Sequence, residues 1–507
     1  MPPKYLVFII CITAIITGCH KTNDIHPDND LPSLITPPVT PPAPVVPTFV
    51  VSNVLQSNMV IQRDKPLVVW GVADAGRHAI VNVSWNNATF EATAGNDGIW
   101  KATIPATVAS QVAQTIKCTS EGFNDVVLNN ILVGDVWLCS GQSNMVMPVE
   151  MLPPSFLGVL NYQDEIAAAD YLNIRALTVK TDYTDKLLNT LTYPANWTVC
   201  SPQTAGTFSA VAYYFARKLN TSLNVPIGII ISAVNGTSCQ LWTNTDAFRN
   251  NPDIKNYAVN AAYLYNGMIN PFTNLSIKGF LWYQGENNEH DDPGGYTKIN
   301  SALINGWRGA FKQGELPFYF VQMTPFAEDY YTTNPAGGHP TLDDYAKFRE
   351  AQANILAVPN TGMAVTMDVG ESANHHPRDK KPVGERLALL ALKNTYNQNV
   401  ICYGPRYTSV DISNNRVIVN FASGTADDLN TKDNKPLNQL FYVAGDDHVF
   451  RQGTAVIQGN TILITAPQGT PLPIQSVRYA FTNAPVTNLQ NAAGLPAEPF
   501  RTDNWSE

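Results

Sequence analysis

The stretch Gly134-Asp-Val-Trp-Leu-Cys-Ser-Gly-Gln-Ser-Asn-Met145 decides how the rest of the chain is read. Val136, Trp137 and Leu138 have the apolar continuity of a buried strand, and Ser140, Gly141, Gln142, Ser143 and Asn144 after them predict a sharp polar turn. Open α/β sheets bind ligands in the crevice beyond the carboxyl ends of their strands. A serine on such a turn exposes its hydroxyl, which makes Ser143 the candidate nucleophile. Most serine-rich turns are only turns, so the assignment needs partners elsewhere in the chain.

Downstream of Val136 strand and helix patterns alternate. Phe208, Val211, Ala212, Phe215 and Leu219 fall on one helical face, and a buried strand over Val225 to Val234 ends at Asn235-Gly236-Thr237. A second strand, Lys278 to Tyr283, ends at Gln284-Gly-Glu-Asn-Asn288. The pattern continues with a helix over Tyr296 to Phe311, a strand over Phe318 to Met323, a helix over Leu342 to Ile355 and a strand over Met363 to Asp368. A last helix, Val383 to Lys393, follows the His375-His376-Pro377 turn. This alternation predicts a mostly parallel sheet covered by helices on both faces, over residues 131–400.

Residues 49–130 and 401–507 read differently, as short strands between turns. Before the alternating region, Pro66 to Trp70, Ala79 to Trp85, Ala88 to Ala94 and Trp100 to Ile104 predict a small antiparallel sandwich. After it, Arg416 to Phe421, Gln439 to Val443 and Thr461 to Thr465 predict a second β-rich domain. The chain of 507 residues carries a net charge of −9 with no basic tract, which argues against nucleic acid as a partner.

Lys4, the apolar run Tyr5 to Ile16 and Thr17-Gly18-Cys19 have the parts of an export signal, too short in its apolar run to span a membrane stably. Ile16-Thr-Gly-Cys19 resembles a bacterial lipobox. That implies signal removal after residue 18, lipidation of Cys19 and attachment to the cell envelope by lipid alone. Residues 19–48 then carry eight prolines, at 27, 32, 37, 38, 41, 42, 44 and 47, and predict an extended spacer. Cys118, Cys139, Cys200, Cys239 and Cys402 show no Cys-x-x-Cys spacing, so no zinc site is expected, and Cys139 reads as a buried small hydrophobe.

In a parallel sheet the turns after successive strands face the same way, so Ser143, Asn235-Gly236, Gln284 to Asn288 and His375-His376 can converge. Ester hydrolysis by serine needs a base and donors aimed at the developing oxyanion. His376 is the candidate base. The backbone amides of Ser143 and Gly236, with a side-chain amide from Gln284 or Asn288, are the candidate oxyanion hole. Glu289-His-Asp-Asp292 has the ligand types of a hard cation site but reads as a solvated turn, and no metal or cofactor is expected. Trp242, Trp282 and Tyr283 are expected in the core, with Trp242 also a candidate for the sugar site.

Gly134 to Met145, Trp282-Tyr-Gln-Gly-Glu-Asn-Asn288, and His376-Pro377 with Lys380 and Val383-Gly-Glu-Arg386 resemble the signature blocks of the sialate O-acetylesterases, carbohydrate esterases of the SGNH hydrolase superfamily. Val54-Leu-Gln56, Met59-Val-Ile-Gln-Arg63, Phe208 to Tyr213, Leu264 to Ile269 and Phe500 to Asp503 extend the resemblance over the chain beyond the proline spacer. It implies a flavodoxin-like α/β/α hydrolase core with an N-terminal β-sandwich and a C-terminal β-rich region. It also implies Ser143 as nucleophile, His376 as base, and metal-free removal of acetyl groups from an O-acetylated carbohydrate.

The chain departs from the family pattern at two positions. Where the family pattern places an aspartate three residues before the histidine, to orient the ring, this chain has Ala373. The glycine pair before threonine is Asn235-Gly236, which leaves Gly236 as a donor. Glu286, Asp368 and Glu371 are the candidate replacements for the orienting acid, and a backbone carbonyl is the alternative. An acetylxylan or other plant-polysaccharide esterase, and a non-catalytic glycan-binding lipoprotein, are the rival readings.

Overall fold

The computed structural model describes residues 48–258, 261–289, 291–327 and 344–505. The export signal, Cys19, the spacer to residue 47 and His290 lie outside the described residues. No helix among the described residues is long and apolar enough to cross a membrane.

The scaffold is one long strand. We label the strands of the central layer β1 (Val126–Gly141), β2 (Tyr171–Thr178), β3 (Trp197–Cys200), β4 (Ile227–Ala233), β5 (Gly279–Tyr283), β6 (Phe318–Val321) and β7 (Thr361–Ala364). Their order across the sheet is β3-β2-β4-β1-β5-β6-β7. Only β3 runs antiparallel to its neighbour. After β1 the chain moves to one side for β2 and β4, then crosses to the other for β5. The reversal beside β1 is the switch point at which open α/β sheets form their crevice.

Helices α2 (Ala210–Leu223) and α5 (Lys380–Asn394) cover one face, and α3 (Pro293–Phe311) and α4 (Asp344–Asn354) the other. The two-residue period of β1 explains how one strand serves both. Trp137 and Cys139 pack with Val211, Phe215, Leu387 and Leu390, whereas Val136 and Leu138 belong to the cluster holding Trp307 and Phe348. Cys139 is fully buried and its thiol is pushed up by desolvation, which leaves it inert. Helix α3 begins a turn earlier than its apolar periodicity suggests. Asp292 caps it through the Gly294 and Gly295 amides, and Pro293 occupies its first turn.

The expected boundary at residue 130 falls inside β1. The first half of this 16-residue strand pairs antiparallel with Ser110–Thr119 and parallel with Val60–Gln62, and its second half pairs with β4 and β5. The β-rich N-terminal segment, with a further sheet of Phe49–Val51, Leu67–Ala73 and Ile99–Ile104, is therefore continuous with the α/β layer. At the junction Asp135 accepts from Gln62 Nε2, Arg63 Nε and Nη2, and the Tyr396 hydroxyl. The C-terminal residues form small antiparallel sheets, one of which pairs Arg416–Phe421 with Thr461–Thr465.

Candidate active site

Strand register sets the site. Gly141 stands opposite Ala233 of β4 on one side and Tyr283 of β5 on the other, so three adjacent strands stop at one level. The residues beyond them emerge together. Gly141 has φ of +139°, and a Cβ there would lie 2.1 Å from the Tyr283 carbonyl oxygen, so only glycine lets β1 turn this close to β5.

Ser143 follows this turn and opens the short helix α1 (Ser143–Val146). It lines an open cleft of about 400 Å³ together with Gln142, Gly236, Glu286, Asn287 and His376. The N–H groups of Ser143 and Gly236 have no acceptor among the described residues. Gly236 has φ of +64° with open space where a Cβ would stand, so its conformation rather than crowding favours glycine.

His376 reaches the cleft from the loop after β7, three strands away from β1, or about 14 Å at ~4.8 Å per strand. The loop that returns it is pinned at several points. Asn374 Oδ1 accepts from the His376 amide at 3.0 Å, and Asn374 Nδ2 donates to the His376 carbonyl at 3.0 Å. Glu371 accepts from Asn374 Nδ2 and from the Arg378 amide. The imidazole packs edge-on against Phe156, ring centroids 4.9 Å apart. Burial, with Lys380 and His375 nearby, holds the imidazole pKa down to about 4, against the nearby Ser155 backbone, which favours the charged ring.

None of the three candidate orienting acids is recorded on that ring. Asp368 is taken by a paired contact with Arg386 at 2.7 and 2.8 Å. Glu371 supports the loop backbone, as described. Glu286 accepts from Asn144 Nδ2 through Oε1, and its enclosed Oε2 has no partner among the described residues. Ala373 has only a methyl to offer, and the group near the imidazole that favours its charged form is the Ser155 backbone.

The two side-chain amides expected in the oxyanion hole are committed elsewhere. Gln284 Nε2 donates to Asn288 Oδ1 (2.6 Å), the Thr237 carbonyl (3.1 Å) and Gln142 Oε1 (3.2 Å). Asn288 Oδ1 also accepts from the Cys239 amide, and its Nδ2 donates to Gln240 and Asp291. Both side chains are buried at 1% exposure, and they hold the β4 and β5 loops to one another behind the cleft. Within the Gln284 to Asn288 segment the side-chain amide that lines the cleft is that of Asn287, beside Gln142 and Asn235, and its exposed side chain has no hydrogen-bond partner among the described residues. Its position one residue from Asn288 was the available signal. Trp242 is fully buried, with its indole N–H on Thr237, and belongs to the core rather than the cleft. Among the described residues no cluster of three or more His, Cys, Asp or Glu is arranged to hold a metal ion.

Residues 133–393 match the family model for carbohydrate esterases described as sialic acid-specific acetylesterases. A carbohydrate acetylesterase of Xanthomonas citri, 31% identical, superposes with a TM-score of 0.80 over 91% of this chain and all of its own. The chain belongs to the sialic acid-specific acetylesterase family. Curated relatives include the sialate O-acetylesterases of Rattus norvegicus and Homo sapiens, each 27% identical over 89% of this chain and over 94% and 92% of their own lengths. As a member of this acetylesterase family the protein is an acetyl ester hydrolase acting on carbohydrate. The fold expected from the resemblance, an α/β hydrolase core carrying β-rich additions, is the one observed.

Proposed function

We propose that the protein removes O-acetyl groups from sialic acids, with Ser143 as nucleophile and His376 as base. The observation that carries this reading is the shared cleft, where Ser143, His376 and the uncommitted N–H of Gly236 meet at the ends of β1 and β4. Ser143 Oγ attacks the acetyl carbonyl while His376 takes its proton, forming a C–O bond and a tetrahedral oxyanion. The backbone amides of Ser143 and Gly236, with Asn287 Nδ2 as a third donor, receive that oxyanion. Loss of one such donor typically costs about a hundred- to a thousandfold in rate. Collapse breaks the bond to the sugar oxygen, which takes the proton from the imidazolium. Water activated by His376 then frees acetate and returns Ser143.

With its pKa near 4, the imidazole is unprotonated above about pH 5 and ready to act as a base. No acid orients the ring among the described residues, so the catalytic pair works as a dyad, with the Ser155 backbone nearby favouring the charged imidazole. The test is acetate release from O-acetylated sialic acids alongside acetylated xylo- and manno-oligosaccharides. Preference for the sialic acids supports the reading. Preference for the plant oligosaccharides makes the protein a polysaccharide esterase. Glycan binding without acetate release, and without phosphonate labelling of Ser143, makes it a capture protein.

For location, the reading is export and attachment to the bacterial envelope through lipidated Cys19, with the proline-rich segment as spacer. The support is the lipobox resemblance of Ile16-Thr-Gly-Cys19 and the prolines after it. A Cys19→Ser variant released from the membrane fraction would bear this out, and one that stayed with it would refute it.

A further inference from the structure

Three residues of the sequence motifs quoted at the outset have no part in the chemistry above: Asn144, Glu286 and Lys380. They meet in one enclosed network. Lys380, buried at the start of α5, donates through Nζ to Asn144 Oδ1 and lies 5.2 Å over the Tyr283 ring. Asn144 Nδ2 donates to Glu286 Oε1 and, at 3.0 Å, to the backbone carbonyl of His375.

The chemistry of the partners fixes the orientation of the amide. An ammonium can only donate and so selects the oxygen, whereas a carboxylate and a carbonyl can only accept and so select the nitrogen. The Asn144 side chain is thereby spoken for by three segments: helix α5, the loop after β5, and the loop that carries the base. Asn144 follows Ser143 directly, and His375 precedes His376. A single side chain joins the turn of the nucleophile to the segment of the base.

The network is poorly suited to stabilising the fold. Burial lowers the Lys380 pKa to about 7 and raises that of Glu286, so neither charge is fully compensated, and Glu286 Oε2 is left unpartnered among the described residues. Such an arrangement persists where geometry is needed more than stability.

We infer that Asn144, held by Lys380 and Glu286, is a positioning residue that sets the His376 loop against Ser143 and supplies alignment that an acid on the imidazole would otherwise give. The inference rests on the reading of Ser143 and His376 as the catalytic pair. It deepens that reading by assigning work to residues outside the dyad.

The test is steady-state hydrolysis of an aryl acetate, with thermal melts, for Asn144→Ala, Asn144→Asp, Lys380→Met, Glu286→Gln and Glu286→Ala, with Ser143→Ala in parallel. Misalignment of this kind costs on the order of a hundredfold in rate. The expected result is that kcat falls tenfold to a hundredfold in Asn144→Ala and Lys380→Met, with KM within threefold of wild type and the Tm of Lys380→Met unchanged or raised. Glu286→Gln, which keeps an oxygen for Asn144, retains at least half of kcat, whereas Glu286→Ala does not. Asn144→Asp has the same shape but turns acceptors toward Glu286 and the His375 carbonyl, and loses as much as Asn144→Ala.

Wild-type kcat in the Asn144 and Lys380 variants, or kcat losses that only follow losses of Tm, would overturn the inference. So would equal losses in Glu286→Gln and Glu286→Ala. If Ser143→Ala is inactive while the network variants are normal, this inference alone fails. If Ser143→Ala remains active, the dyad reading fails with it.

Discussion

A buried carboxyl group stands near each end of the parallel half of β1, and the two are built on opposite plans. At the lower end Asp135 is fully buried and its two oxygens accept four hydrogen bonds, from Gln62, Arg63 twice and Tyr396. At the upper end Glu286 has one oxygen on Asn144 and the other without a partner among the described residues. The lower network is complete and far from the cleft. The upper one is incomplete and borders it. Full satisfaction marks groups that hold the fold, whereas a shortfall tolerated beside a cleft marks groups kept for alignment and chemistry.

The sharpest way to break this contrast is to exchange the effects of the two ends. Ser143→Ala is expected to lower kcat by about a millionfold. It should change stability by no more than about 0.5 kcal/mol, because the Ser143 hydroxyl has no hydrogen-bond partner among the described residues. Acetate release and urea melts on the same preparation check both. Asp135→Ala should do the reverse, costing about 3–5 kcal/mol by removing the shared buried acceptor of Gln62, Arg63 and Tyr396. Its kcat per folded molecule should stay within about twofold. A melt unchanged from wild type would remove Asp135 from the structural class.

Asp368 sharpens the contrast, because it lies near the upper rim yet is fully paired with Arg386. Asp368→Ala should lower the melting temperature and leave the pH profile of kcat in place, whereas an orienting acid would move that profile. A smaller effect is expected from Glu371→Ala, which loosens the clamp on the His376 loop. We expect kcat to fall about tenfold with KM retained, since a displaced base costs rate before binding.

The smallest expected effect lies in the pH dependence. With the imidazole held near 4, kcat/KM should stay level from pH 7 to about 5.5 and fall only as pH drops toward 4. An ordinary imidazole would lose activity through 6.5. The same shift acts on stability: between 6.5 and 4 the unfolded chain binds a proton at His376 that the native state does not, so stability declines as pH falls through that window. An acid limb centred at 6.5 would show that the ring is more solvated than its packing on Phe156 implies.

The upper end of the sheet was the more legible part of the sequence. Apolar runs that stop at polar, glycine-bearing turns identify β1, β4 and β5, and parallel pairing brings Ser143, Gly236 and the Gln284 to Asn288 segment to one level. What side-chain amides do there was not legible. Gln284, Asn287 and Asn288 have the same chemistry in sequence, and only packing decides that Asn287 faces the cleft while the other two brace its wall. The setting of the His376 ring was hidden for a related reason, because the influence of a backbone group such as that of Ser155 has no residue signature.

The boundary at residue 130 was misleading. Asn130 adopts φ of +57°, yet the strand continues through it. The register with Ser110–Thr119 shifts there, between Ile116 opposite Leu128 and Gln114 opposite Ile131, and Val60–Gln62 takes up the strand from Leu132 onward.

That uninterrupted strand limits how the enzyme can be trimmed. A truncated version beginning at residue 131 would keep Ser143 and His376 but discard Gln62 and Arg63, leaving the Asp135 carboxylate with Tyr396 as its remaining donor in an apolar interior. It would also bare the edge of β1 that Val60–Gln62 now covers, a ready template for sticking to other chains. Anyone seeking a minimal catalyst from this scaffold would have to begin upstream of Met59.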